Sequence, residues 1–145
     1  MSRAQDHPRL EFADDLQALG TLSRERAVPI MLVFTRPDCP YSARAKKEHL
    51  EPLQANPDRG VQLLIREIET SNNQTILRDF EGQATTHGEI ARRYAIRSVP
   101  TVLMVDARGR PLADPVVGLA APEFYPLYLA HTIEESQLQL RMRRK

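Results

Sequence analysis

A single cysteine, Cys39, is all the thiol chemistry this chain of 145 residues carries. One cysteine closes no intramolecular disulfide, so the fold must rest on its apolar core. It also excludes a thiolate zinc cluster, which needs several cysteines. The formal net charge is only +1, so composition points to no nucleic-acid or acidic partner. No apolar run approaches the roughly 20 residues of a membrane-spanning helix, so no membrane span is expected. The opening residues Met1 to Pro8 lack the apolar centre of a signal peptide, which leaves a cytoplasmic chain or a mature exported form restarted with Met. Internal repeats and low-complexity tracts are absent. His49, His87 and His131 show no metal-ligand spacing, and each is expected at the surface or at a cap. No metal and no resident cofactor are expected.

What is present reads as one domain. Apolar residues make up 41% and charged residues 27% of the chain, ordinary for a globular protein of a size that builds a real core. Residues 1–9 are polar and read as a flexible start, 10–140 as the domain, and 141–145 as a basic tail. Phe12, Leu16, Leu19 and Leu22 recur at helical spacing and predict a helix from Leu10 to about Glu25. Ala27 to Thr35 is nearly all apolar, as for a strand covered on both faces. Pro37 and Asp38 break it, and Pro40 suits the first position of a helix, which should be kinked or ended near Glu51 by Pro52 and then by Asn56-Pro57-Asp58. A second strand is predicted over Val61 to Ile68, followed by a polar connection from Thr70 to Gly82 and a short helix from Thr85 to Tyr94. Ser98-Val99-Pro100-Thr101 introduces a third strand, Val102 to Val105. Asp106-Ala107-Arg108-Gly109 is a hairpin turn, and Pro111 to Gly118 is an edge strand. Pro122 opens a last helix to about Leu140, with Pro126 in its first turn and the hydroxyls of Tyr125 and Tyr128 reaching water. The order strand–helix–strand, then strand–strand–helix, predicts an α/β fold with a mixed central four-stranded sheet flanked by helices on both faces.

Cys39 falls where the first buried strand hands over to a helix. Backbone N–H groups and the helix dipole there favour an anion, which biases the thiol toward thiolate. Arg36 adds positive charge if it faces the sulfur, and Asp38 opposes it, so the net shift stays unsigned. Ser42, one turn on, either caps backbone donors or donates a hydrogen bond to the thiolate.

Cys39-Pro40-Tyr41-Ser42 resembles the Cys-Pro-Tyr-Cys site of glutaredoxins and other disulfide oxidoreductases, with serine in the last place. Tyr94-Ala95-Ile96-Arg97-Ser98-Val99-Pro100-Thr101 is similar to the cis-proline segment of thioredoxins, although on its own Pro100 reads equally as a trans proline leading a strand. Gly109 resembles the hairpin glycine of that family, and Val117-Gly118-Leu119 the glycine before its last helix. Over roughly Val28 to Ala130 the chain is thus identified with the thioredoxin superfamily. The connection from Thr70 to His87 is similar to bacterial, often periplasmic, thioredoxin-like proteins, so a mature periplasmic chain is an expectation beside a cytoplasmic one. Two departures stand out. Val33 occupies the place of the buried acid that in thioredoxin serves the second cysteine, and the double glycine plus acid with which glutaredoxins hold glutathione is missing.

The resemblance implies thiol–disulfide exchange through Cys39, with Ser42 beside it and Pro40, Tyr41, Val99 and Pro100 forming the substrate surface. Val99 would pair with an extended segment and Tyr41 would lie on the rim. Substrates are then protein or small-molecule disulfides and thiols. Without a second cysteine, a mixed disulfide must be released by an external thiol such as glutathione, and an oxidised Cys39 ends as a mixed disulfide, a disulfide-linked dimer or a sulfenic acid. The alternatives are a non-catalytic module that grips cysteine-bearing or extended peptides, and a trapping variant in which serine replaces the second cysteine of a Cys-Pro-Tyr-Cys enzyme.

Overall fold

The computed structural model describes residues 9–55 and 63–143. The first helix, α1, spans Leu16–Arg26. The Asp15 side chain accepts the Ala18 N–H at 2.9 Å and so caps it. Strand β1, Ile30–Thr35, is buried along its whole length. Helix α2, Pro40–Ala45, follows the cysteine-bearing turn. A π-helical turn, Lys46–Leu50, and helix α3, Glu51–Ala55, continue it. Then come β2 (Leu64–Glu69), β3 (Ile76–Arg78), β4 (Ala84–Thr86), α4 (His87–Arg93), β5 (Thr101–Val105) and β6 (Val116–Val117). A 3-10 turn, Pro122–Phe124, leads into α5, Tyr125–Arg143.

The main sheet has the order β2-β1-β5-β6. Strand β1 runs parallel to β2 and antiparallel to β5, and β6 is antiparallel to β5. The sheet is therefore mixed and four-stranded, as the element order predicts. Alternation along β1 feeds two cores. Ile30, Leu32 and Phe34 pack with Leu16, Leu19, Ile90 and Ala91 on one face. Met31 and Val33 pack with Ala45, Leu50, Tyr125, Leu129 and Ile133 on the other. Each such side chain taken fully from water contributes roughly 1.5–3 kcal/mol. This two-sided burial makes β1 a rigid base for the turn at its end.

Several local expectations are corrected. The first helix begins at Leu16, not Leu10. Residues 11–13 instead pair with the outer edge of β2, through Glu67 N–H to the Glu11 carbonyl (2.8 Å) and Ala13 N–H to the Glu67 carbonyl (2.9 Å), leaving Phe12 51% exposed. The first strand starts at Ile30 rather than Ala27, because Ala27 takes a left-handed conformation that closes α1. Pro52 does not end the second helix. It has no N–H to offer the Glu48 carbonyl, and the chain adapts with the wider π turn, in which the Glu51 N–H reaches back to the Lys46 carbonyl. The break expected at Asn56-Pro57-Asp58 and the strand start at Val61 lie outside the described residues. The polar connection after Thr70 holds a small hairpin, β3 with β4, and Asp79 closes its turn by accepting the Glu81 and Gln83 N–H groups, both at 2.9 Å. The edge strand shrinks to Val116–Val117 plus a bridge from Pro111 to Val105, since Pro111 and Pro115 have no N–H for a ladder. The last helix runs past Leu140 to Arg143, so the basic residues Arg141 and Arg143 form its exposed last turn, the solvated helix end that their charge suits.

Candidate active site

Strand β1 ends at Thr35, and the chain turns through Arg36 to Asp38 before α2 begins. The Cys39 N–H closes the turn on the Arg36 carbonyl at 3.2 Å, and the Ala43 N–H takes the Cys39 carbonyl at 3.1 Å as the first helical bond. Cys39 is the N-cap and Pro40 follows at the first helical position. The cysteine is partly exposed and free. Ser42 is fully buried, and its Oγ accepts the Arg36 N–H at 3.4 Å. Tyr41 is 61% exposed, and Pro40 before it is exposed as well, so Ser42 is the first side chain after the cysteine to turn inward.

Burial raises the Cys39 thiol pKa, but the opposing effects are stronger in sum. The Ser42 N–H and hydroxyl, the Tyr41 N–H and the Arg36 charge all stabilise the anion, and the net result is a pKa below the ordinary thiol value. The sign left open by the sequence is thus set by donors converging on sulfur at the first turn. Asp38, the expected opponent, turns toward Arg36, with Oδ1 3.4 Å from Nε.

Facing this turn is the loop before β5. The Val99–Pro100 peptide is cis, Pro100 is buried, and the Thr101 hydroxyl donates to the Ser98 carbonyl at 2.7 Å. The Pro100 carbonyl accepts the Gly118 N–H at 2.7 Å, which ties the loop to the end of β6. Gly118 has φ +77°, a conformation that suits glycine. Cys39 and Val99 line one cavity of about 300 Å³ together with Arg36, Thr70, Ile96, Arg97 and Ser98. Of the residues singled out from the sequence, the structure brings Cys39 and Val99 into this cavity. Ser42, Pro100, Pro40 and Tyr41 do not line it; the first two are buried and the last two exposed. Thr70, Ile96, Arg97 and Ser98 were not foreseen. Arg97 had one signal, its place three residues before Pro100. Thr70 arrives only through tertiary structure, its N–H on the Thr35 carbonyl at 2.9 Å. A larger cleft, about 840 Å³, lies elsewhere, between α1, the Phe80 turn, the end of α4 and Ala107, and it contains no thiol.

Beneath α2 sits a buried acid. Glu67, 2% exposed, is the register partner of Val33. One carboxylate oxygen accepts the Thr35 hydroxyl at 2.6 Å and the Lys46 ammonium at 2.8 Å. The carboxylate missing at Val33 is thus present on the neighbouring strand, bridging the end of β1 to the π turn.

The histidine and tyrosine expectations need correction. His131 is exposed, but His87 is only 2% exposed. Its Nδ1 accepts the Glu69 N–H at 3.2 Å, which joins the start of α4 to the end of β2. Burial holds the His87 pKa below its usual 6.5, against the opposing pull of the Ala13 carbonyl, Glu69, Glu67 and Asp14. His49 is also lowered by burial, with Glu48 opposing and Arg44 assisting. A base with a lowered folded pKa binds its proton more readily when unfolded. Its contribution to stability is therefore complete above 6.5 and is lost as pH falls through the lower folded value. The melting temperature is expected to fall as pH drops below about 6.5, and His87→Gln should flatten that fall. Calorimetry across this range checks it, and an equally steep fall in the variant would assign the acid sensitivity to other groups. Tyr125 is 1% exposed and its hydroxyl has no hydrogen-bond partner, so it does not reach water, and burial pushes its pKa up to about 12. Among the described residues no cluster of His, Cys, Asp and Glu could hold a metal, and no helix is long and apolar enough to cross a membrane.

The family described as a thioredoxin-like domain matches residues 18–132. Among solved structures, a DsbH oxidoreductase superposes with TM-score 0.59 at 21% identity, covering 92% of this chain and 91% of that one. Thioredoxin from Fasciola hepatica gives TM-score 0.57 at 14% identity, over 88% of this chain and 99% of that one. Thioredoxin from Trichomonas vaginalis gives TM-score 0.54 at 18% identity, over 90% and 98%. No curated protein sequence matches. At these identities the likeness is one of fold.

Proposed function

Because the chain belongs to the thioredoxin-like domain family, we propose that it carries out thiol–disulfide exchange with Cys39 as its only nucleophile. The observation that carries this reading is the sulfur itself, placed at the N-cap of α2, open to a cavity and surrounded by donors that lower its pKa. The Cys39 thiolate attacks one sulfur of a disulfide. A new S–S bond forms to Cys39, the old one breaks, and the other half leaves as a thiolate. An external thiolate then attacks the substrate sulfur of that mixed disulfide and returns Cys39 as thiolate. Nothing is oxidised or reduced in sum on the protein, so no electron acceptor is required. Ser42 has no sulfur with which to resolve the intermediate, and its role is to hold the charge on Cys39.

Protein and small-molecule disulfides are both substrates in this reading. Val99, beside the sulfur, offers backbone for an extended segment, and exposed Tyr41 and Pro40 provide a rim for a larger partner. In the absence of another resolving thiol, the Cys39 thiolate of a second copy would attack the Cys39 sulfur of a mixed disulfide, expel the substrate half as its thiolate and leave a disulfide-linked dimer.

The test is the pH dependence of Cys39 alkylation by iodoacetamide. The rate should rise with pH and inflect below the inflection of free cysteine. Ser42→Ala should move the inflection upward and slow alkylation several-fold on its acid side, because one hydrogen bond to the anion is gone. An inflection at the free-thiol position would remove the basis for a reactive site.

A further inference from the structure

The cavity at the sulfur is polar and carries positive charge. Arg36 and Arg97 line it, with Thr70 and Ser98 between them. The two arginines come from separate segments, one at the end of β1 and one in the loop before β5, and only the fold places both at Cys39. Neither charge is strongly neutralised. Arg36 has Asp38 at 3.4 Å, but their side chains are 50% and 77% exposed, so water screens the pair. Arg97 has no carboxylate within salt-bridge distance among the described residues. At about 300 Å³ the space is at the lower end of small-molecule sites. Hydroxyls and guanidinium groups on its walls match carboxylate oxygens in hydrogen-bonding type and in charge.

We infer that this cavity selects low-molecular-mass thiols and disulfides bearing carboxylates, with Arg36 and Arg97 as the specificity-determining residues. The inference rests on the exchange reading of Cys39 and names the small thiol class that resolves its mixed disulfide. The two guanidiniums carry it. Each attracts an incoming anion before sulfur meets sulfur, and the attraction persists in the mixed disulfide, where the carboxylate remains beside Arg97. Two unit charges in a wet cleft should favour a dianionic disulfide over a neutral one by about tenfold at low salt.

The experiment uses the full chain and three disulfides of similar size: 3,3′-dithiodipropionate, bis(2-hydroxyethyl) disulfide and cystamine. They are anionic, neutral and cationic. Mixed-disulfide formation on Cys39 is followed by mass spectrometry, and each rate is divided by that of a free neutral thiol with the same reagent. The expected normalised order is anionic, then neutral, then cationic, with the anionic preference near tenfold and shrinking as salt rises to about 0.5 M. Arg97→Glu should abolish or invert the order, and Arg97→Gln should halve it on a logarithmic scale. Asp38→Asn should strengthen the anionic preference, since it frees Arg36. If normalised rates are equal for the three reagents, or if Arg97→Glu leaves their order intact, the selectivity is overturned while exchange at Cys39 stands. If none of the three reacts with Cys39, both the selectivity and the exchange reading fall.

Discussion

Ser42→Cys is expected to convert a protein that stalls at the mixed disulfide into one that releases its substrate unaided. Residues three apart in a helix lie about 5 Å apart between Cα atoms, within the range that a disulfide spans. Position 42 is buried directly behind the sulfur, and its side chain already bonds within the turn that presents Cys39. A thiol there attacks the mixed disulfide intramolecularly, at an effective concentration far above that of any free thiol, so release should accelerate by at least about 100-fold. In insulin reduction with a limiting external reductant, the parent chain should show little turnover and accumulate covalent adduct. The variant should turn over and leave an internal disulfide between Cys39 and the introduced thiol, detectable as a loss of two hydrogens. Cys39→Ala, alone or with Ser42→Cys, should be inactive in both measurements. Equal activity of the parent and Cys39→Ala would end the exchange reading and leave a binding module. A Ser42→Cys protein with no gain would show that serine does not stand in for a resolving thiol.

The site was legible in the sequence where the local chain dictates the geometry. Six buried residues from Ile30 to Thr35, broken by Pro37 and restarted by Pro40, leave Cys39 little choice but the mouth of a helix. The same holds for β5, an apolar run fixed between Pro100 and the Asp106 turn. What stayed hidden depends on residues far apart in the chain. Phe12 has helical spacing with Leu16 and Leu19, yet it flanks an edge bridge, because Asp15 starts the helix after it and β2 has an open edge to fill. Strands β3 and β4, of three residues each, are too short for any period to register. Arg97 shows only its place three residues before Pro100 until the fold brings it to one cavity with Arg36 and Thr70. Glu67 follows Arg66 in Leu64-Ile65-Arg66-Glu67-Ile68, and nothing in that run marks it as the buried acid that meets Lys46.

That hidden acid leads to the largest stability effect expected of a single residue near the site. Lys46→Met should destabilise the fold by about 3 kcal/mol and lower the melting temperature by roughly 10 °C. Lys46 is the only cation within salt-bridge distance of Glu67 among the described residues, and the carboxylate side chain is 3% exposed while the lysine side chain is 24% exposed. Removing the ammonium leaves an anion in the interior with only the Thr35 hydroxyl as a side-chain donor. The Born cost of that uncompensated charge exceeds anything gained from the added methionine surface. Removing both charges should be far milder, because an apolar pair of similar volume needs no compensation, so Lys46→Met with Glu67→Leu should recover most of the loss. The coupling also bears on the sulfur. Lys46 opens the π turn that lets the helix pass Pro52, and Thr35 is the last residue before the turn that offers its Arg36 N–H to Ser42. The single variant should therefore move the alkylation inflection of Cys39 as well as the melting temperature, and the double variant should restore the second more fully than the first. If Lys46→Met melts with the parent, the ion pair contributes nothing net, and α2 is held in place by its apolar contacts through Ala45 and Leu50 alone.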